Sequence, residues 1–146
     1  MRRVFRVCRA VHARLDGEGA RQVGARWNSP GNAVVYMAES ISLAVLENLV
    51  HMKRQDFPTG YVVVGAALPD HLEISTDDQL RAVLGDQPSN VLGDRWLEAS
   101  RTAVLRVRSI VVPGECNYFL NPRHSDFRAI VAGVPVPFQF DDRLFR

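Results

Sequence analysis

The chain has 146 residues and a mass of 16.3 kDa, the length of one ordinary domain. Its 47% hydrophobic and 23% charged residues are globular values that exclude wholesale disorder, and no apolar run approaches the ~20 residues that cross a bilayer. A net charge of +2 is too small to mark a nucleic-acid binder in its own right. The first twenty residues carry charges every few positions and lack the apolar stretch of a secretory signal. Two cysteines, Cys8 and Cys116, make no disulfide framework and read as reduced thiols of a cytoplasmic protein. The four histidines are scattered without metal-ligand spacing, so no metal site is expected. All but one of the 18 basic residues are arginine. An arginine-favouring genome explains such a bias, and so does recognition of phosphate or carboxylate by the guanidinium fork.

In chain order, residues 4–9 read as a first strand, rich in β-branched and aromatic side chains. Residues 15–29 read as a loop, with glycines at 17, 19 and 24 and a closing Asn28-Ser29-Pro30-Gly31-Asn32 turn cluster. Residues 33–37 form a short apolar strand. Ser40 or Ser42 caps a helix that runs to about Met52. Residues 61–68, a continuous apolar run, read as a buried strand ended by Pro69-Asp70. Two short helices follow over 76–84 and 93–100, then two short strands over 103–107 and 109–112. A turn or single helical turn is expected over 121–127, and strands over 128–131 and 137–140 finish the chain. Strands and helices do not alternate regularly, so the fold class is α+β, one compact domain with a mixed sheet and flanking helices.

Neither a glycine-rich phosphate loop nor a GxSxG elbow is present. Three local features carry polar chemistry. The segment Gly24-Ala25-Arg26-Trp27-Asn28-Ser29-Pro30-Gly31 offers a guanidinium, a stacking surface and an amide. That set suits a polar ligand with an anionic part, or else a structural turn with Trp27 plugging the core edge. In the helix after Ser40, Glu47 has Leu43, Ala44 and Val50 as its helical neighbours. It either faces a cleft or lies at the surface beside His51. The segment from Arg108 and Ser109 to Pro122 places Asn117 and Asn121 four apart. These asparagines are ligand contacts at strand ends or caps on their own backbone.

Taken together, Arg26-Trp27-Asn28, Val35-Tyr36-Met37-Ala38, Leu46-Glu47, Ser109-Ile110-Val111-Val112-Pro113, Asn117-Tyr118-Phe119-Leu120-Asn121-Pro122 and the closing Phe140-Asp141-Asp142-Arg143-Leu144-Phe145 resemble the RES-domain family. The resemblance runs from Phe5-Arg6 to Leu144-Phe145, so residues 1–146 are expected to form a single RES domain. The arginine, glutamate and serine that name the family fall on Arg26, Glu47 and Ser109. Two positions depart from the family pattern: Ala25 stands where a second glycine is usual, and Arg108 where a proline is common.

The resemblance implies a toxin of a bacterial type II toxin–antitoxin pair with an ADP-ribosyltransferase-like fold. It implies consumption of NAD⁺ by cleavage of the nicotinamide–ribose bond, through hydrolysis or phosphorolysis. Transfer of ADP-ribose to a protein is the alternative, and a non-catalytic nucleotide- or antitoxin-binding regulator the third reading. NAD⁺ would be substrate, with no cofactor required. The implied partner is an Xre-type helix-turn-helix antitoxin, with direct contact to nucleic acid or membrane not expected and self-association left open. Under this reading Glu47 stabilises the ribosyl cation, Arg26 grips phosphate or ribose, Tyr36 stacks on nicotinamide and Ser109 bonds the ribose or carboxamide. Trp27, Asn28 and Asn117 are further substrate contacts. Because nicotinamide departs as a neutral molecule, one carboxylate suffices where ordinary glycosidases employ two.

Overall fold

A computed structural model describes residues 1–53 and 55–146. Its backbone is one eight-stranded sheet in the order β4-β5-β6-β2-β1-β3-β7, with β8 also paired to β3. The strands are β1 (Arg2–Arg9), β2 (Val35–Ala38), β3 (Tyr61–Leu68), β4 (Ile74–Thr76), β5 (Val104–Arg108), β6 (Cys116–Leu120), β7 (Val131–Ala132) and β8 (Val136–Phe138). The helices are α1 (Glu18–Val23), α2 (Ile41–Leu49), α3 (Asp77–Leu84) and α4 (Ser89–Ala99). Only β4 and β5 run parallel, so the expected mixed sheet with flanking helices is found.

Side-chain alternation sorts the sheet into two faces. Val35, Met37, Val104, Tyr118 and Leu120 enter one core cluster, closed by Phe127, Ala129 and Ile130. On the other face Leu105, Val107 and Phe119 pack with Trp27, Leu92 and Trp96, while Ala38 packs with Val7 and with Leu43 and Ala44 of α2. β3 occupies the residues expected of it, but its burial alternates rather than being continuous. β1 pairs with it along its whole length, from Arg2 opposite Leu68 to Arg9 opposite Tyr61.

The feature that shapes the molecule is the join between β1 and β2, which touch at the single pair Phe5–Ala38. The pairs that would follow in that register, Arg6 with Met37 and Val7 with Tyr36, are not made, and there the strands have parted. Their freed carbonyls are satisfied by side chains, as buried backbone groups must be. Asn48 Nδ2 donates to Val7 O at 2.8 Å, and Arg6 Nη1 donates to Tyr36 O at 3.4 Å. A cleft opens at this split.

The helices follow their caps. Ser40 accepts from Leu43 N at 3.0 Å and starts α2. Thr76 and Gln79 form a capping box that starts α3. Several expectations need correction. The loop expected over 15–29 contains α1, whose entry depends on Gly17 at φ 71° against the backbone of Val34. The strand expected over 109–112 is instead part of the turn joining β5 to β6: Ser109 N donates to Glu115 O at 2.8 Å, and Gly114 sits at φ 96°. β6 was hidden by the polar Asn117 in its apolar run, and β4 by its three-residue length. The strand expected over 128–131 is mostly the end of a 3₁₀ turn, Ser125–Ala129, with only Val131–Ala132 paired.

Candidate active site

The cleft at the split has a volume of about 1440 Å³. This exceeds the roughly 300–1,000 Å³ of ordinary small-molecule pockets and suits an extended ligand. Arg26, Trp27, Tyr36, Glu47, Ser109 and Asn117 all line it, as do Arg6 and His51.

Glu47 sits in the last turns of α2, half-buried, and its helix is bolted to β1 by Asn48, which spans Val7 O and Ala44 O at 2.8 Å each. Two donors converge on Glu47 Oε1: Ser109 Oγ at 3.1 Å and Asn117 Nδ2 at 2.9 Å. The Ser109 hydroxyl is itself aimed, because it accepts from Val112 N at 3.0 Å and so gives its one proton to Glu47. Among the described residues none donates to Oε2. Asp77, the other carboxylate on the cleft wall, is matched to Arg108 Nε at 3.2 Å, and Asp78 takes Arg108 Nη2 at 2.7 Å. Asp77 also pushes the Arg108 guanidinium further above its usual range. Glu47 is therefore the carboxylate on this wall left without a cation among the described residues.

Another part of the lining is the loop carrying Arg26 and Trp27. Ala25 and Asn28 close it with paired backbone hydrogen bonds of 3.0 and 3.3 Å. Helix α4 clamps it from behind. A Cβ on Gly93 would lie 1.7 Å from Trp27 O, so only glycine lets helix and loop approach this closely. Asp94 then accepts from Ser29 N (2.9 Å), Ser29 Oγ (2.6 Å) and Asn32 Nδ2 (2.9 Å). Burial alone would raise the Asp94 carboxyl, but the donors from Ser29 and Asn32 outweigh it and hold it below its usual range.

The sequence-predicted residues divide accordingly. Glu47, Ser109 and Asn117 meet in one hydrogen-bonded cluster. Arg26 is exposed on its loop at the cleft lining, with no carboxylate partner among the described residues. Tyr36 presents its ring edge-on to Phe119, 4.7 Å between centroids. Its hydroxyl donates to Asn28 Oδ1 at 2.6 Å and accepts from Trp27 N at 3.2 Å. Burial raises this phenol far above its ordinary value, so it remains a donor. Trp27 is mostly core, packed on Phe119, with Arg81 over its ring. Asn28 does not reach the cleft wall. Its Nδ2 serves Ala20 O, Ser29 O and Asn32 O, and those bonds hold the loop. Asn121 likewise bonds to its own surroundings.

The two departures from the family pattern are also placed. Ala25 does not have a positive φ, so its methyl causes no strain there; the neighbouring Gly24, at φ 73° beside Pro30, is the position that needs glycine. Arg108 stands at the rim, but its charge is matched by Asp77 and Asp78. Sequence reasoning missed Arg6, Asn48, Gly93 and Asp94. An arginine between Phe5 and Val7, in the apolar middle of a strand with arginines at its ends, was the one visible signal among them.

Comparison with known proteins is consistent along the chain. A model of the RES domain matches residues 3–141. The Prs ADP-ribosylating toxin of Sphingobium sp. (strain YBL2) is 35% identical over 140 residues, spanning 90% of this chain and 87% of that protein. A protein called Toxin Res from Yersinia enterocolitica is 35% identical over 140 residues, 88% of each chain. Another from Photorhabdus laumondii is 33% identical over 151 residues, covering 98% of this chain and 97% of its own. A chain in the crystal structure of the M. tuberculosis MbcT–MbcA toxin–antitoxin complex shares the fold, with a TM-score of 0.71 at 17% identity over 99% of this chain and 86% of that one.

Proposed function

This chain belongs to the RES-domain family, and on that footing we propose that it is the toxin of a toxin–antitoxin pair and acts by cleaving the nicotinamide–ribose bond of NAD⁺. The observation that carries the reading is Glu47, a carboxylate held by Ser109 and Asn117 and without a cation among the described residues, in a cleft that Arg26 also lines. Tyr36 lines the same cleft.

The chemistry follows from the substrate. The bond from the ribose anomeric carbon to the pyridinium nitrogen breaks, and its electron pair stays on nitrogen, so nicotinamide leaves neutral and needs no general acid. Positive charge develops on the ribose. Glu47 Oε1 is fixed by two donors, which leaves Oε2 to face that charge at no cost of reorganisation. A nucleophile with an O–H then adds to the same carbon and loses its proton, and Glu47 is placed to accept or orient it. Arg26 holds the anionic part of the dinucleotide, and Tyr36, its hydroxyl already satisfied, offers an aromatic surface to nicotinamide.

Water and phosphate are the acceptors of the primary reading. Transfer to a protein acceptor is the second, supported by the name of the Sphingobium relative. The partner that silences the activity would be an antitoxin, a reading supported by the complex in which the structural neighbour was solved; that it is of Xre type is what the family resemblance implies. Purified protein incubated with NAD⁺, with and without phosphate and cell lysate, tests all of this by product mass. Free ADP-ribose reports hydrolysis, its phosphorylated form phosphorolysis, and ADP-ribosylated polypeptide transfer. Unchanged NAD⁺ in every mixture would refute the proposal.

A further inference from the structure

A second hollow, of about 420 Å³, is lined by Arg2, Glu39, Arg106, Cys116 and Tyr118. These side chains stand on the sheet face turned away from Glu47. Asn117 of β6 reaches Glu47, so by strand alternation its neighbours Cys116 and Tyr118 point the other way. Arg106 of β5 lies beside Tyr118 in register. Tyr118 is only 2% exposed, a member of the core cluster, and the Arg2 guanidinium lies 5.2 Å from its ring centre. A buried phenol ordinarily finds a hydrogen-bond partner. The Tyr118 hydroxyl has none among the described residues, and the hollow is the opening that Tyr118 lines. Arg2 and Arg106 pair with no carboxylate among those residues either, whereas Arg108 is matched by Asp77 and Asp78. Glu39 is half-buried; its Oε1 accepts from Cys116 N, and among the described residues nothing donates to Oε2. Burial and the Glu39 carboxylate push the Cys116 thiol up, and Arg106 and Arg2 pull it back, so these groups surround one point.

Two guanidinium groups and a phenol O–H with no acceptor suit an oxyanion. The Glu39 carboxylate narrows the choice. It repels an anion that has lost every proton, and it accepts a hydrogen bond from an anion that keeps one. Hydrogenphosphate meets both conditions: its bare oxygens accept from the donors, and its P–O–H donates to Glu39. Sulfate has the same shape and charge but no such proton. We infer that the back of the sheet carries a binding site for inorganic phosphate, with Arg2, Arg106 and the Tyr118 hydroxyl as donors and Glu39 as the acceptor that reads the ligand's proton. An ion bound there is separated from Glu47 by the sheet, so this site is not where phosphate would meet the ribose. The inference stands apart from the reaction proposed for the cleft and does not need it.

The test is calorimetric titration at about pH 8 with inorganic phosphate, sulfate and glycerol phosphate, paired with thermal unfolding of each variant. At that pH a phosphate monoester has lost its last proton, its second pKa being about 6, so only inorganic phosphate still offers a P–O–H. Wild type is expected to bind phosphate about 10-fold or more tightly than either of the other two. Arg106→Gln weakens phosphate binding about 10-fold or more. Tyr118→Phe weakens it about three- to tenfold, with thermal stability at or above that of wild type, because the hydroxyl has no protein partner to lose. Glu39→Gln, which can donate where Glu39 accepts, brings sulfate to within about threefold of phosphate. A wild type that binds no phosphate would overturn the inference, and so would one that binds sulfate or glycerol phosphate equally well. So would phosphate binding that survives Arg106→Gln and disappears in Arg26→Gln, since that puts the ion in the cleft. Unchanged phosphate affinity in a folded Tyr118→Phe protein would overturn it too.

Discussion

Two charged clusters border the same sheet and are built on opposite plans. At the start of α3, Arg108 is matched by Asp77 and Asp78, and every strong charge meets its counterpart within 3.2 Å. In the cleft at the β1–β2 split, Glu47 is fixed by neutral donors, and among the described residues Arg26 meets no carboxylate and the buried Arg6 Nε no acceptor. The first cluster is neutralised from within and contributes to the fold. The second spends its hydrogen bonds on orientation and leaves its charge unanswered, which is how a protein prepares for a charged ligand.

The strongest way to break this contrast is Glu47→Gln, which keeps the shape and removes the charge. NAD⁺ consumption is expected to fall about 10²–10³-fold, the scale for losing one preorganised electrostatic group, and growth arrest on expression in a bacterial host should vanish with the fold intact. Full toxicity in a folded Glu47→Gln protein would place the chemistry elsewhere.

Next in size is Gly93→Ala. Its methyl collides with the Trp27 carbonyl, so α4 and the Arg26 loop must separate at a cost of about 1–3 kcal/mol. Denaturant unfolding reads the loss, and NAD⁺ turnover should fall beyond what the fraction unfolded explains. Unchanged stability would mean that the loop yields freely and that α4 does not clamp it.

Asp94→Ala removes three bonds to the same loop, and about 1–3 kcal/mol is expected at neutral pH. The pH dependence sharpens this prediction. Because the folded-state carboxyl lies below its ordinary value, its contribution is complete above the unfolded pKa of about 3.9. It is lost as pH falls through the folded-state value. Wild type and variant should therefore converge in stability toward strongly acidic pH. A constant gap across the acid range would show that packing, not the ionised carboxylate, accounts for the difference.

Arg108→Ala should do least. The pair is largely exposed on the arginine side, so a loss of no more than about 1 kcal/mol is expected, with NAD⁺ turnover nearly unchanged. A large loss of turnover would move Arg108 from the matched cluster into the working one.

The sequence made the local parts of this molecule plain and concealed the long-range ones. β3, the cap of α2 and the extent of α3 were readable because each is decided by neighbours within a few residues: an apolar run, Ser40, the segment 76–84. The residues 109–112 misled because their β-branched side chains favour a strand, while Pro113-Gly114 turns the chain back into β6. Glu47, Ser109 and Asn117 were each visible as polar groups, but their meeting depends on the β5–β6 hairpin lying beside α2. Arg6 and Asn48 were invisible because their partners are carbonyls freed by the parting of β1 from β2, a matter of sheet register. Gly93 reads as a blemish in a helix until Trp27 is seen pressed against it.

The central claim is that this cleft removes nicotinamide from NAD⁺. A time course of free nicotinamide over purified protein and NAD⁺ tests it most directly. Release that continues through many equivalents of protein, with ADP-ribose phosphate, ADP-ribose or modified polypeptide appearing in step, is the predicted result. Active preparations that arrest growth yet liberate no nicotinamide would contradict it.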